Sequence, residues 1–266
     1  MPTEKNAAKD VIKGQSLWSD AWLRLKKNHM AVISMAVLAL IFLLCFILPA
    51  IGNFNAPEDP AVRAAEHWFK NPNYQNLNNT FAPPSGHHWL GTDQSGRDLF
   101  SRLLYGGQIS LLVGLVATTI SVIVGVAYGA IAGYSSERTD SLMMRIVDIL
   151  YGLPFLVLVI LFSLLISEHM KELSEFLIND WKWESVFVNK YANLIPLFIA
   201  IGALGWLTMA RVARAQVMNI KKQDFIEAAV SLGLKKSTIL TRHILPNMIG
   251  PMIVYTTLTV PSFILT

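Results

Sequence analysis

Hydrophobic positions in this chain come in long unbroken runs, not in the alternation of a strand or the one-sided stripe of a soluble helix. Five runs stand out, at residues 30–51, 103–136, 149–167, 191–210 and 244–266, and none contains Asp, Glu, Lys or Arg. A helix rises ~1.5 Å per residue, so about 20 apolar residues cross the ~30 Å hydrocarbon core of a bilayer. A buried core helix of a soluble protein accounts for one such run, not for five in 266 residues. The expected fold is all-α, a polytopic bundle of membrane helices. It divides into an N-terminal segment 1–29, a first span 30–52, a polar segment 53–102 and a core 103–266. The core holds spans at about 103–133, 146–167, 191–213 and 244–266, with a polar loop at 214–243. The last run reaches Thr266 with no polar flank. A truncated chain, or a sixth span missing from the C-terminus, is therefore expected, and the mass of the intact subunit decides it.

Local patterns add detail. Residues 16–27 read as an amphipathic helix on the membrane surface, with Trp18, Trp22 and Leu25 on one face and Arg24, Lys26 and Lys27 reaching lipid phosphates; a disordered basic tail is the alternative. The segment 53–89 is rich in Asn and Pro and reads as turns and short helices. Gly125, Gly129 and Gly133 recur every four residues, a small-residue face that lets another helix approach closely. Gly152 and Pro154 interrupt the third span near its start, as a hinge or as simple packing. Arg145 and Asp148, three apart, are expected to pair across a helical turn.

Composition agrees with the pattern. Apolar residues make up 53% of the chain and charged residues 15%, against ~25% charged in soluble domains. The mean hydropathy is +0.44. These values argue against a soluble enzyme, a disordered regulator and a nucleic-acid binder. The net charge of +4 is too mild for a polyanion-binding surface. The single Cys45 excludes an intrachain disulfide. The placement of basic residues says more than their total. Six stand in residues 1–29 and seven in 211–243, whereas 168–190 holds three against five acidic residues. By the positive-inside rule the N-terminus and the 211–243 loop are cytoplasmic, and 53–102 and 168–190 lie outside.

The chemistry concentrates in two places. In the loop, Asp224 is followed three residues later by Glu227, a capping-box arrangement with Asp224 at the N-cap. Phe225, Ile226, Ala228 and Ala229 continue a two-turn helix that Gly233 ends in the left-handed conformation. Ser237 is positioned to cap a second helix running through Arg242 and His243 towards Leu245 and Pro246. Such a projection, with a small-residue face at Ala228 and Ala229 and an apolar edge at Phe225 and Ile226, suits docking to a soluble partner. Ahead of the second run stands His88-Trp89-Leu90-Gly91-Thr92-Asp93-Gln94-Ser95-Gly96-Arg97-Asp98. Asp93, Arg97 and Asp98 are read either as a latch for an outside partner or as helix capping with a local ion pair.

The Glu-Ala-Ala element at 227–229 stands in register with Gly233 and His243-Ile244-Leu245-Pro246-Asn247. This pattern resembles the EAA motif of ABC importer permeases. The Leu-Gly-Thr-Asp-x-x-Gly-Arg-Asp element at 90–98 is similar to one found in the oligopeptide, dipeptide and nickel permeases, and the long outer segment fits their "C"-type subunit. The resemblance implies the type I importer permease fold and a transport subunit without catalytic residues. It implies a second, homologous "B" permease, two ATPases that bind ATP and Mg, and an extracytoplasmic binding protein. It also implies a multi-pass place in the bacterial inner (plasma) membrane. Asp224 to Ala229, with Gly233, then belong to a coupling helix seated on one ATPase. A phosphate-cradling loop is not expected in this chain, because Gly233-Leu234-Lys235-Lys236-Ser237 lacks the second Gly and the preceding strand. The six histidines form no metal-ligand spacing. Peptide is the expected cargo, with nickel or another small solute as the alternative. A secondary transporter is a further alternative, opposed by the scarcity of ionisable residues in the spans. An intramembrane enzyme would need a catalytic constellation that the isolated Ser and Thr of the spans do not supply.

Overall fold

The computed structural model describes residues 22, 25–54, 69, 71–179 and 194–265. They form helices α1 (His29–Phe54), α2 (Leu99–Tyr134), α3 (Glu137–Tyr151), α4 (Phe155–Asn179), α5 (Ile195–Ile220), α6 (Asp224–Ser231), α7 (Lys236–Ile239) and α8 (Leu245–Leu265), with a short 3-10 turn at Leu77–Asn79. Among the described residues there is no strand, only one bridge between Thr92 and Asp98. The fold is all-α. Four helical stretches are long and apolar enough to cross a membrane, and α3 with α4 make a fifth if the bent pair counts as one span. Most of the amphipathic helix expected at 16–27 lies outside the described residues. Trp22 and residues 25–27 are helical, and the Lys26 ammonium stands 5.4 Å over the Trp22 ring.

The chain falls into two compact units, Met1–Gln108 and Ile109–Thr266. In the first, the Asn28 side chain accepts from the Ala31 N–H at 3.2 Å and caps α1. Gly107 lets the start of α2 close on α1, since a Cβ there would stand 2.6 Å from the Cys45 sulfur.

The second unit is held by small residues. A Cβ at Gly125 would meet Met209 Cβ at 2.6 Å, and one at Gly133 would meet Val217 Cβ at 3.0 Å. The glycine face of α2 therefore lies directly on α5, which presents Ala210, Ala213 and Val217, all buried. Such a face replaces the missing hydrophobic drive between helices in lipid with close packing.

The third span is not one helix. The sequence places it at 146–167, but the chain turns by 93° between α3 and α4. Pro154 has no N–H, and its ring pushes the preceding residue out of the helical region. Gly152 has φ −74°, which any residue adopts, so the break belongs to the proline. The helix after it continues past the expected end, to Asn179. Nor does Asp148 take Arg145 as its partner. It binds the Arg211 guanidinium at 2.7 Å, and Asp140 receives Arg214 in a bidentate pair. Tyr128 donates its hydroxyl to the Met143 carbonyl at 2.9 Å. Three side chains of α2 and α5 thus fix α3 in place.

Candidate functional site

The loop between α5 and α8 is built on the core. Beyond α5, the Gln223 N–H returns to the Ile220 carbonyl at 3.0 Å and closes a tight turn. Gln223 then adopts an extended conformation and becomes the N-cap of α6. Asp224 is the first helical residue, not the cap, and no side chain caps this end. The expected capping box does not form. Asp224 and Glu227 stand in the first turn, where negative charge complements the helix dipole. The C-terminus follows the sequence reading. Gly233 has φ +75°, its N–H reaches the Val230 carbonyl at 2.9 Å, and the Leu234 N–H reaches the Ala229 carbonyl at 3.2 Å. These two bonds make a Schellman cap.

The pairs that the sequence places together are split by the helix. Ile226 is 2% exposed and Ala229 is buried beside it, in a cluster with Val217, Ile220, Ile239, Ile244 and Met248. Phe225, Glu227 and Ala228 face outward. Neighbouring positions differ by ~100° around a helix, whereas i and i+3 share a face. The inner face therefore welds α6 to the bundle and the outer face is open. That outer face carries apolar residues that the sequence reading passed over: Val230, Leu234 and above all Leu232, which is 81% exposed. A hydrophobic residue on the turn of a helix already anchored on its other side was the available signal.

The return to the membrane is continuous. Lys235, not Ser237, stands at the N-cap of α7. Between α7 and α8 lies a π-turn, Leu240–Ile244, in which the Leu245 N–H reaches back five residues to the Leu240 carbonyl. Pro246 explains it. The ring has no N–H for the Arg242 carbonyl and would clash with it in a regular helix, so the turn widens. His243 uses its carbonyl to accept from the Asn247 side chain at 2.6 Å.

In the first unit, the motif before α2 forms a knot of hydrogen bonds. Asp98 is 4% exposed. Its carboxylate accepts from the Ser101 N–H at 2.8 Å, three residues on, and so caps α2. The other oxygen meets His88 Nδ1 at 2.9 Å. Asp93 accepts from the backbone N–H groups of Ser95 (2.8 Å) and Arg97 (3.0 Å) and from the Arg97 guanidinium (2.8 Å). Its carboxyl is held below the ordinary aspartate range, first by the Arg97 backbone N–H, against a smaller opposing effect of desolvation. The Thr92 hydroxyl accepts from the Ala82 N–H and donates to the Asn79 carbonyl. Gly91 and Gly96 both have positive φ, and at each a Cβ would run into backbone, of Ala82 and of Asn76 respectively. Gly91, Thr92, Asp93, Gly96, Arg97 and Asp98 thus each have a local structural task.

Comparison with known proteins places the chain. Residues 125–266 match the family described as binding-protein-dependent transport system inner membrane component. Residues 16–84 match the N-terminal transmembrane domain of oligopeptide transport permease C. The dipeptide transport system permease protein DppC of Bacillus subtilis is 38% identical over 98% of this chain and 70% of its own length. The oligopeptide transport system permease protein OppC of Haemophilus influenzae is 37% identical over 96% of this chain and 70% of its own. OppC of Bacillus subtilis is 34% identical, over 98% and 72%. With its apolar helices, its welded loop and these relatives, the chain belongs to the family of binding-protein-dependent transport system inner membrane components.

Proposed function

We propose that this chain is one of two homologous membrane subunits of an ABC importer for peptides, and that it moves cargo without hydrolysing ATP itself. Two separate ATPases bind ATP and Mg on the cytoplasmic side, and a substrate-binding protein delivers cargo from outside. The N-terminus and the α6 loop face the cytoplasm, as the basic residues of 1–29 and 211–243 favour. The names of the relatives, dipeptide and oligopeptide permeases, support peptide as the cargo.

One observation carries the coupling role. The α6 helix is welded to the spans by Ile226 and Ala229 but leaves Phe225, Val230, Leu232 and Leu234 uncovered. Exposed apolar surface on a rigid mount marks a protein interface. An ATPase groove that takes this face would pass its closing motion directly into α5 and α8. Glu227, at the outer face of the first turn, meets the same partner. The motif at Gly91, Thr92, Asp93, Gly96, Arg97 and Asp98 holds the outer entry to α2.

Leu232→Asp tests the reading, because so exposed a side chain has no part in folding this chain. Pull-down from native membranes in mild detergent should recover the second permease with the variant but lose the ATPases. Equal recovery of the ATPases, with uptake intact, would sink the coupling role of α6.

A further inference from the structure

The elbow at Pro154 decides how α3 meets its surroundings. Residues 155–167 of α4 carry no charge, and α4 stands at 93° to α3. A helix at a right angle to a membrane-crossing helix lies along the membrane plane. The anchors on α5 agree. Asp140 and Asp148 are separated by about 12 Å of helix, whereas their partners Arg214 and Arg211 are separated by only about 4.5 Å. So α3 runs across α5 rather than along it, at the level where the uncharged run of α5 gives way to Arg211.

The residues of α3 sort by side. Val147 is buried against the bundle. Leu150 faces the hollow of the elbow, which marks the side of α3 toward α4 and so toward hydrocarbon. Ile146, one turn before Leu150, shares that side. Leu142, Ile146 and Ile149 form one exposed apolar stripe at i, i+4 and i+7. The exposed Leu153, Leu156 and Val157 carry apolar surface on through the elbow into α4. Ser141 and Asp148, both exposed, lie on the side of α3 away from Leu150.

Between the stripe and the polar side stand Arg138 and Arg145, two turns apart on one row and both exposed. Neither has an acidic partner among the described residues. An apolar stripe edged by unpaired guanidinium groups fits the boundary between acyl chains and phosphates. A protein helix laid on the stripe would have to bring its own acids to both arginines, or bury charge without a counter-charge at a cost. Every phospholipid brings a phosphate to that depth.

We propose that α3 is an interfacial helix whose partner is phospholipid, with Leu142, Ile146 and Ile149 among the acyl chains and Arg138 and Arg145 on lipid phosphates. This needs α4 and α5 to cross a membrane, and nothing of the cargo or the energy source. The pairs Asp140–Arg214 and Asp148–Arg211 then tie the bundle to the bilayer surface. The test places a photoreactive benzophenone side chain at residue 142, 146 or 149 of the full chain, and at residue 141 as the control, in native membranes. On illumination the first three positions should capture phospholipid, read as a mass shift of the intact chain, and residue 141 should not. Arg138→Gln with Arg145→Gln should lower phospholipid capture at residue 142 severalfold, whereas Arg138→Lys with Arg145→Lys should retain it. Capture of another protein subunit at the three positions, or of nothing, would overturn the lipid contact. Equal capture in the Gln and Lys forms would overturn the phosphate contact. If the chain with benzophenone at one position does not reach the membrane, the other two positions decide.

Discussion

Gly129→Ala probes the close backbone approach of α2 to α5 in the second unit. A Cβ at residue 129 would stand 2.8 Å from Ala213 Cβ and closer still to the Ala210 carbonyl oxygen. Ordinary carbon contact is ~3.5–4.0 Å, so α2 and α5 would have to part by roughly 1 Å. A gap of that size forfeits about a quarter to a half of the dispersion attraction along the seam. Overpacking of this kind costs ~1–3 kcal/mol. The upper part of that range applies, because a backbone carbonyl inside a helix cannot rotate aside. Alanine in a helix regains ~1 kcal/mol over glycine. The net loss is about 2 kcal/mol, or roughly 4–8 °C in melting midpoint for a domain of this size. Gly106 is the internal control. It lies on the same helix, and a Cβ there meets nothing within 4 Å, so Gly106→Ala collects the helix gain without the clash. Thermal unfolding of the purified chain in one mild detergent, followed by circular dichroism at the helix band, compares the two. A Gly129→Ala protein that melts at or above the wild-type temperature would refute the close approach.

Gly233→Ala isolates backbone strain, since a Cβ at 233 meets no neighbour while φ is +75°. The left-handed conformation costs ~1–2 kcal/mol for Ala and less for Asn, so ATPase recovery in pull-downs should fall in the order Gly, Asn, Ala. Asp98→Ala removes the cap of α2 and its bond to His88, a loss of ~1–2 kcal/mol that should show as faster proteolysis within 71–98. Asp93 has a depressed pKa in the folded chain, so its contribution is present above the ordinary aspartate pKa and is lost as pH falls through the lower folded value. Protease resistance of this segment should hold at pH 5 and fail only below ~pH 4, and Asp93→Asn should remove that acid step. Asp140→Asn leaves Arg214 with its bidentate partner gone, which costs about 2 kcal/mol. The exchanged pair Asp140→Arg with Arg214→Asp should recover part of that in the melting temperature, whereas additive losses would show that the two groups do not interact.

The spans were legible because hydrocarbon imposes one demand on every residue, and an uncharged run records it directly. Gly233 was legible for a similar reason, since only one residue type adopts its backbone cheaply. Pro154 marked a break but not an angle: a proline removes a donor, and whether the chain kinks or turns by 93° depends on what holds α3. That hold comes from Arg211 and Arg214, 63 and 74 residues away from their partners. The nearer Arg145 was the natural guess for Asp148, and distance in sequence carried no hint of the true partner. Asp224 failed as a cap because the turn at 220–223 had already placed Gln223 in the extended conformation, a fact of chain direction rather than of residue preference. The outward set on α6 was recoverable from helical periodicity, since Ile226 and Ala229 share a face and Leu232 follows the last turn of the helix.

The π-turn at Leu240–Ile244 acts as a vernier between loop and span. It holds one residue more than a regular turn, and each residue in a helix is worth ~100° of rotation and ~1.5 Å of rise. Removing that residue would press for a rotation of about a quarter of a circle between α7 and α8, against the packing of Ile226 and Ala229 that holds α6 to α5 and α8. The face that α6 would offer to the proposed ATPase is thus held from two sides, by the turn at 220–223 and by this one, apart from the residues that a partner would grip.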